Sequence, residues 1–166
     1  MKRTLNILTH YVQARRKGLL VGAGILAADW ATKFFIVGAS ASLPWWVVRD
    51  WFALVRWNNR GMSFSLLDDA VWGPVFLSVL AVAACAAFIH WLGSATRHWQ
   101  QIGLGLLLGG ALGNLLDRLT HGAVIDFVLL CAPNIWCFYA FNVADAAITL
   151  GVVALLWDNL RYEGRQ

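Results

Sequence analysis

Charge is scarce in this 166-residue chain: Asp, Glu, Lys and Arg make up 13% of it and hydrophobic residues 60%, with a mean hydropathy of +0.62. So little charge excludes an ordinary soluble protein and points to a membrane protein, with one domain the expectation at this length. Cysteine is scarce too. Cys85, Cys131 and Cys137 form no CxxC pair, and the four histidines form no HExxH and no ligand cluster, so neither a metal nor a cofactor is expected. A net charge of +4 and a pI near 9.3 would suit a nucleic-acid binder. Most Lys and Arg, however, stand beside or between apolar segments, where topology and lipid headgroups account for them, and no nucleic-acid partner is expected.

What is present is long apolar runs. Spanning helices are expected over about 18–38, 71–92, 102–119 and 141–157, each long enough for a hydrocarbon core of roughly 30 Å. The first is not read as a cleavable signal peptide, because its apolar region is too long and no small-residue cleavage site follows. Residues 1–17 hold Lys2, Arg3, Arg15, Arg16 and Lys17 and no acid, and the 93–101 link holds Arg97 and no acid. Both therefore read as cytoplasmic, with the two termini on the same side. Between the first two spans, about 39–70, Pro44, Asp50 and the Asn58-Asn59-Arg60-Gly61 run exclude another span, while Val47, Val48, Phe52, Leu54 and Val55 are strand formers. A small extracytoplasmic β region is expected, with Trp45, Trp46, Trp51 and Trp57 at headgroup level. The 123–139 segment, with Pro133 and Asn134, reads as irregular or half-embedded on the outer side. A Cys131–Cys137 disulfide is open there if the loop is extracytoplasmic. The fold class is thus an all-α membrane protein of four transmembrane helices carrying two outer segments.

Polar groups interrupt these spans in a concentrated way. Gly109 to Phe127 begins as a glycine-rich helix, its small faces suited to close helix approach, and then presents Asn114, Asp117 and Arg118 on adjoining turns, with Asp126 soon after. The last span carries Asn142 and Asp145, three residues apart and so on one face. The first carries Asp29 and Lys33, which either merely pair at i,i+4 or support a polar site. At 1.5 Å per residue, Asp29 lies about 17 Å and Asp145 about 18 Å from the inner ends of their helices, a shared depth. Ionisable groups at membrane depth are expensive and read by default as functional. Two carboxylates from two segments suggest a dyad.

These residues resemble the lipoprotein signal peptidases, or signal peptidase II, of bacterial inner membranes. The resemblance rests on four blocks in order: Asp29-Trp-Ala-Thr32-Lys33; Asn59-Arg-Gly61-Met-Ser63-Phe64; Gly113-Asn114-Leu-Leu-Asp117-Arg118 through Gly122-Ala-Val124-Ile-Asp126-Phe127; and Phe141-Asn142-Val-Ala-Asp145. The chain departs in Ala146, where the family often has serine, and in a longer basic N-terminus, and its 128–140 segment matches no motif. The resemblance implies an aspartic endopeptidase that removes the signal peptide from prolipoproteins, cutting just before the diacylglyceryl cysteine. Asp126 and Asp145 would be catalytic. Asp29, Lys33, Asn59, Gly61, Asn114, Asp117, Arg118, Val124 and Asn142 would organise the site or hold substrate. Its partners would be the lipidated precursor, membrane lipid and cyclic peptide inhibitors such as globomycin, and its site would lie at the outer, periplasmic leaflet.

Two other classes compete. A small proton-coupled transporter also uses intramembrane carboxylates, but it would need access from both leaflets and, preferably, repeated halves, of which none is visible. A non-enzymatic scaffold explains single buried asparagines but not two aspartates at one depth. Presenilin-like and prepilin-type peptidases share the chemistry, but the chain has no GxGD.

Overall fold

The structure, a computed structural model, describes residues 2–39, 46–49, 51–61, 72–132, 136–137 and 139–163. The basic side chains of Lys2 and Arg3, those of the Trp45-Trp46 pair, and the Ser63-Phe64 and Pro133-Asn134 positions lie outside the described residues. Four long helices dominate: α1 (Lys2–Ala39), α2 (Gly73–Ser94), α3 (His98–His121) and α4 (Val143–Glu163). Each is long and apolar enough to cross a membrane, α1 over Arg15–Ala39. The helix boundaries shift from the expected ones for local reasons. Pro74, in the first turn of α2, places that helix start at Gly73. α3 begins earlier than expected, at His98, because the buried Gln101 sends its side-chain amide back to the Ala95 carbonyl at 3.1 Å. It ends where Gly122 turns left-handed (φ 70°) and donates its N–H to Arg118 O. α4 runs past Trp157 because Asp158 pairs with Arg97 at 2.8 Å and Arg161 lies over the Trp157 ring.

α3 is the central helix. In its most apolar stretch 67% of the residues are buried, against 17% in α1 and α2 and 28% in α4. Glycines allow this on two opposite faces. Gly105 and Gly109 meet Gly18 and Gly22 of α1, while Gly103 and Gly110 meet Gly151 and Ala144 of α4. A Cβ on Gly109 would stand 2.5 Å from the Gly22 carbonyl, and one on Gly110 the same distance from that of Ala144. Larger residues would push the helices apart.

An antiparallel sheet closes one end, in the order β1 (Trp46–Arg49), β2 (Phe52–Asn59), β3 (Val124–Ala132) and β4 (Trp136–Cys137). The strands between α1 and α2 follow the sequence reading. β3, however, replaces what was expected to be an irregular or half-embedded stretch. Its first four residues, Val124 to Phe127, are all buried, so the apolar-polar alternation that marks a half-exposed strand is missing. Cys131 and Cys137 are joined by a disulfide. Phe141 bridges back to Val128 through paired backbone hydrogen bonds of 2.8 and 3.0 Å, which is why α4 starts at Val143 and not at Phe141. The bridge also delivers Asn142 to the side of β3.

Candidate active site

The start of α4 is a reciprocal cap. Asp145 N–H donates to the Asn142 side-chain oxygen at 2.9 Å, and Asn142 N–H donates to Asp145 Oδ2 at 3.2 Å. Asn-x-x-Asp thus satisfies two helix-start donors in the manner of a capping box. A third donor, Ala144 N–H, goes to Asp29 Oδ1 of α1 at 2.9 Å. Asp29 is therefore more than half of an i,i+4 pair.

Its other oxygen lies 2.6 Å from Lys33 Nζ. That ammonium also reaches Asp117 Oδ2 at 2.8 Å and Asn114 Oδ1 at 3.4 Å, so its three protons meet three acceptors. All four side chains are buried. Asp117 passes the connection to the sheet, accepting Ile125 N–H at 3.0 Å and fixing the start of β3 one residue before Asp126. Gly113 permits the α1 contact, since a Cβ there would come within 2.5 Å of Asp29 Oδ2.

The Lys33 ammonium and the Asp145 backbone N–H decide how the two asparagines point. Lys33 has only protons to offer, so Asn114 turns its oxygen toward it and its NH2 toward Asp145 Oδ1, at 2.8 Å. Asn142 must give its oxygen to Asp145 N–H. Its NH2 therefore faces Asp126 Oδ1 at 2.7 Å and Asn114 Oδ1 at 3.1 Å. Asn59, at the end of β2, holds Gly61 N–H with its oxygen at 3.0 Å and gives its NH2 to Asp126 Oδ2, also at 3.0 Å. Both aspartates thus sit against amide donors, Asn114 of α3, Asn59 of β2 and Asn142 at the start of α4, the first of them oriented by Lys33 of α1.

Asp126 is 2% exposed. Burial above all, and then repulsion from Asp145, raise its carboxyl from the ordinary 3.8 to about 7, against the Asn59 and Asn142 hydrogen bonds and the Lys33 charge, which pull the other way. Two carboxyl groups that share Asn142 as a hydrogen-bond partner and repel one another can hold one proton between them, an arrangement suited to activating water on one and polarising a carbonyl with the other. Arg118 lies alongside, donating to Gly61 O at 3.3 Å and Asn114 O at 3.5 Å. Val124 is buried in β3 opposite Asn59. Asp29, Lys33, Asn59, Gly61, Asn114, Asp117, Arg118, Val124, Asp126, Asn142 and Asp145 all lie in this cluster or next to it. Not singled out were the backbone N–H groups of Ile125 and Ala144; the Asn-x-x-Asp cap spacing was the available signal for the second. Among the described residues no group of three or more His, Cys, Asp or Glu could hold a metal ion.

Fold and cluster together define a multi-pass membrane protein built around a pair of carboxyl groups, Asp126 buried and Asp145 half-buried. The chain belongs to the signal peptidase II family: the family profile, Signal peptidase (SPase) II, matches residues 21–161. It is 42% identical over 138 residues to a lipoprotein signal peptidase of Pseudomonas fluorescens, covering 81% of each chain. It is 41% identical over 155 residues to that of Methylobacterium radiotolerans, covering 91% of this chain and 90% of the relative. Its fold is similar to a solved bacterial membrane enzyme with a TM-score of 0.74, at 22% identity and 90% coverage of each chain. The protein is accordingly a peptidase of bacterial membranes.

Proposed function

We propose that this peptidase is an aspartic endopeptidase that removes the signal peptide from diacylglyceryl-modified prolipoproteins, cutting just before the lipidated cysteine, with Asp126 and Asp145 as its catalytic pair. The observation that carries this is the amide-held carboxyl pair, with Asp126 buried and raised to about 7. The proposed cycle starts with one proton on the pair, carried by Asp126, whose carboxyl is raised by burial. Asp145 takes a proton from water as the water oxygen bonds to the scissile carbonyl carbon. Asp126 donates its proton to the carbonyl oxygen. When the tetrahedral intermediate collapses, the C–N bond breaks, the proton held by Asp145 goes to the leaving amine, and Asp126 recovers its own from the hydroxyl of the intermediate. No acyl-enzyme forms.

Positioning is the work of the rest of the cluster. Asp29 and Lys33 fix the α4 start and the Asn114 amide, Asp117 fixes the β3 start, and Arg118 lies where its donors meet a substrate backbone. The site is taken to face the periplasm. Arg15, Arg16 and Lys17 at the other end of the α1 span support this, as does the Cys131–Cys137 disulfide in the strand that carries Asp126, because disulfides persist in oxidising compartments. Lipid on the substrate matters physically. Each buried CH₂ contributes about 0.8 kcal/mol, which holds the cysteine end of the precursor at the depth of the pair. The test is purified enzyme with one precursor, with and without diacylglycerol on its cysteine. Cleavage of the lipidated form alone, blocked by a cyclic peptide such as globomycin, is expected; equal cleavage of both forms would overturn the account of specificity.

A further inference from the structure

The ladder between β2 and β3 contains an irregularity whose effect falls on the site. Leu54 pairs with Val128, but the next register positions are Trp57 with Asp126 and Asn59 with Val124, with a bulge between Leu54 and Trp57. An unbroken ladder would have put Arg56 across from Asp126 and Asn58 across from Val124. The one extra residue re-aims the strand, as bulges beside functional sites do. It brings two side chains onto the face of the sheet that carries Asp126. Asn59 is one, and its amide takes Asp126 Oδ2 at 3.0 Å. Trp57 is the other.

Directly opposite residues in an antiparallel pair point to one face, their Cβ atoms about 5 Å apart. Yet Asp126 is 2% exposed and Trp57 is 56% exposed. The indole therefore stands open beside the carboxyl that α1, α3 and α4 enclose from the other side. An extended peptide advances about 3.3 Å per residue, so with its scissile carbonyl at Asp126 the side chains within a few residues of that bond pass the indole. A signal peptide is apolar on the side upstream of the cut. An open, rigid aromatic surface suits that side.

We propose that Trp57 is a specificity-determining residue, forming the wall that receives a bulky apolar side chain of the signal peptide two or three residues upstream of the scissile bond. This rests on the peptidase reading above. The experiment uses the full-length purified enzyme in vesicles and in detergent, with two lipidated precursors that carry Leu or Ala at those upstream positions. Wild-type enzyme should prefer the Leu precursor in kcat/KM. Trp57→Ala should shrink that preference about tenfold, the scale on which apolar pockets discriminate, with the change in KM and not in kcat. Trp57→Phe should retain most of the preference. Equal losses on both precursors, or losses in vesicles that vanish in detergent, would make Trp57 a headgroup anchor and overturn the proposal. An unchanged preference in Trp57→Ala would overturn it as well. Failure of wild-type enzyme to cleave either precursor would instead overturn the reading on which it rests.

Discussion

The side-chain NH2 of Asn142 lies 2.7 Å from Asp126 Oδ1, while the same side chain's oxygen accepts the backbone N–H of Asp145. One asparagine thus ties the strand that carries one carboxyl to the helix that carries the other. Asn142→Asp keeps the size, removes the NH2 and adds a third carboxyl beside two. Loss of a hydrogen bond to a charged group costs about 2 kcal/mol, so kcat should fall at least about thirtyfold. Steady-state cleavage of a lipidated precursor checks this, with circular dichroism as the control for folding.

The raised Asp126 carboxyl sets two pH dependences. Its proton is lost near pH 7, so the proposed acid disappears and kcat/KM should fall on the alkaline side with an apparent value near 7, one that belongs to the pair. Asn59 favours the ionised form of Asp126; Asn59→Ala should therefore move the alkaline limb upward. A group whose folded value lies above its unfolded one stabilises most below the unfolded value, and the gain is lost as pH rises through the folded value. The contribution of Asp126 to thermal stability should thus decline between about pH 4 and pH 7, a decline absent from Asp126→Asn.

Asp29 acts through the α4 start and Lys33. Asp29→Ala leaves Ala144 N–H without its acceptor and removes one of the two carboxylates on a buried ammonium. Breaking such a buried pair costs about 3 kcal/mol. Asp29→Asn retains an oxygen for Ala144 and should cost less. Unfolding followed in detergent should rank the two in that order.

How far the sequence carried the fold varied by element. Four apolar runs marked the helices, because a bilayer demands about twenty apolar residues whatever their order. β3 was hidden by being buried on both faces, which leaves no alternation to read in Val124–Phe127. The site residues stood out because polar groups inside spans are rare. Their connections did not: that Lys33 turns the Asn114 amide toward Asp145, or that Asp29 caps α4 from another helix, depends on contacts between residues 81 and 115 positions apart. Spacing within one segment carries no trace of these.

The α3–α4 contact offers a test of packing independent of the polar groups. A Cβ on Gly110 meets the Ala144 carbonyl, one residue before Asp145. Gly110→Val should destabilise by about 1–3 kcal/mol, as overpacked sites do, and should also lower kcat by shifting Asp145 against Asp126. Gly24, whose Cβ would meet nothing within 4 Å, is the control position, and Gly24→Val should leave both readouts near wild type.

The central claim, that Asp126 and Asp145 act as one catalytic unit, is tested most directly by gel-shift cleavage of a diacylglyceryl precursor by purified Asp126→Asn, Asp145→Asn and the double variant, each shown to be folded and membrane-inserted. Residues that act as a unit lose activity non-additively. Neither single variant should cleave detectably, the double variant should be no worse than the singles, and metal chelators should leave wild-type activity untouched. Full cleavage by either single variant would remove that aspartate from the mechanism and rule out a catalytic pair.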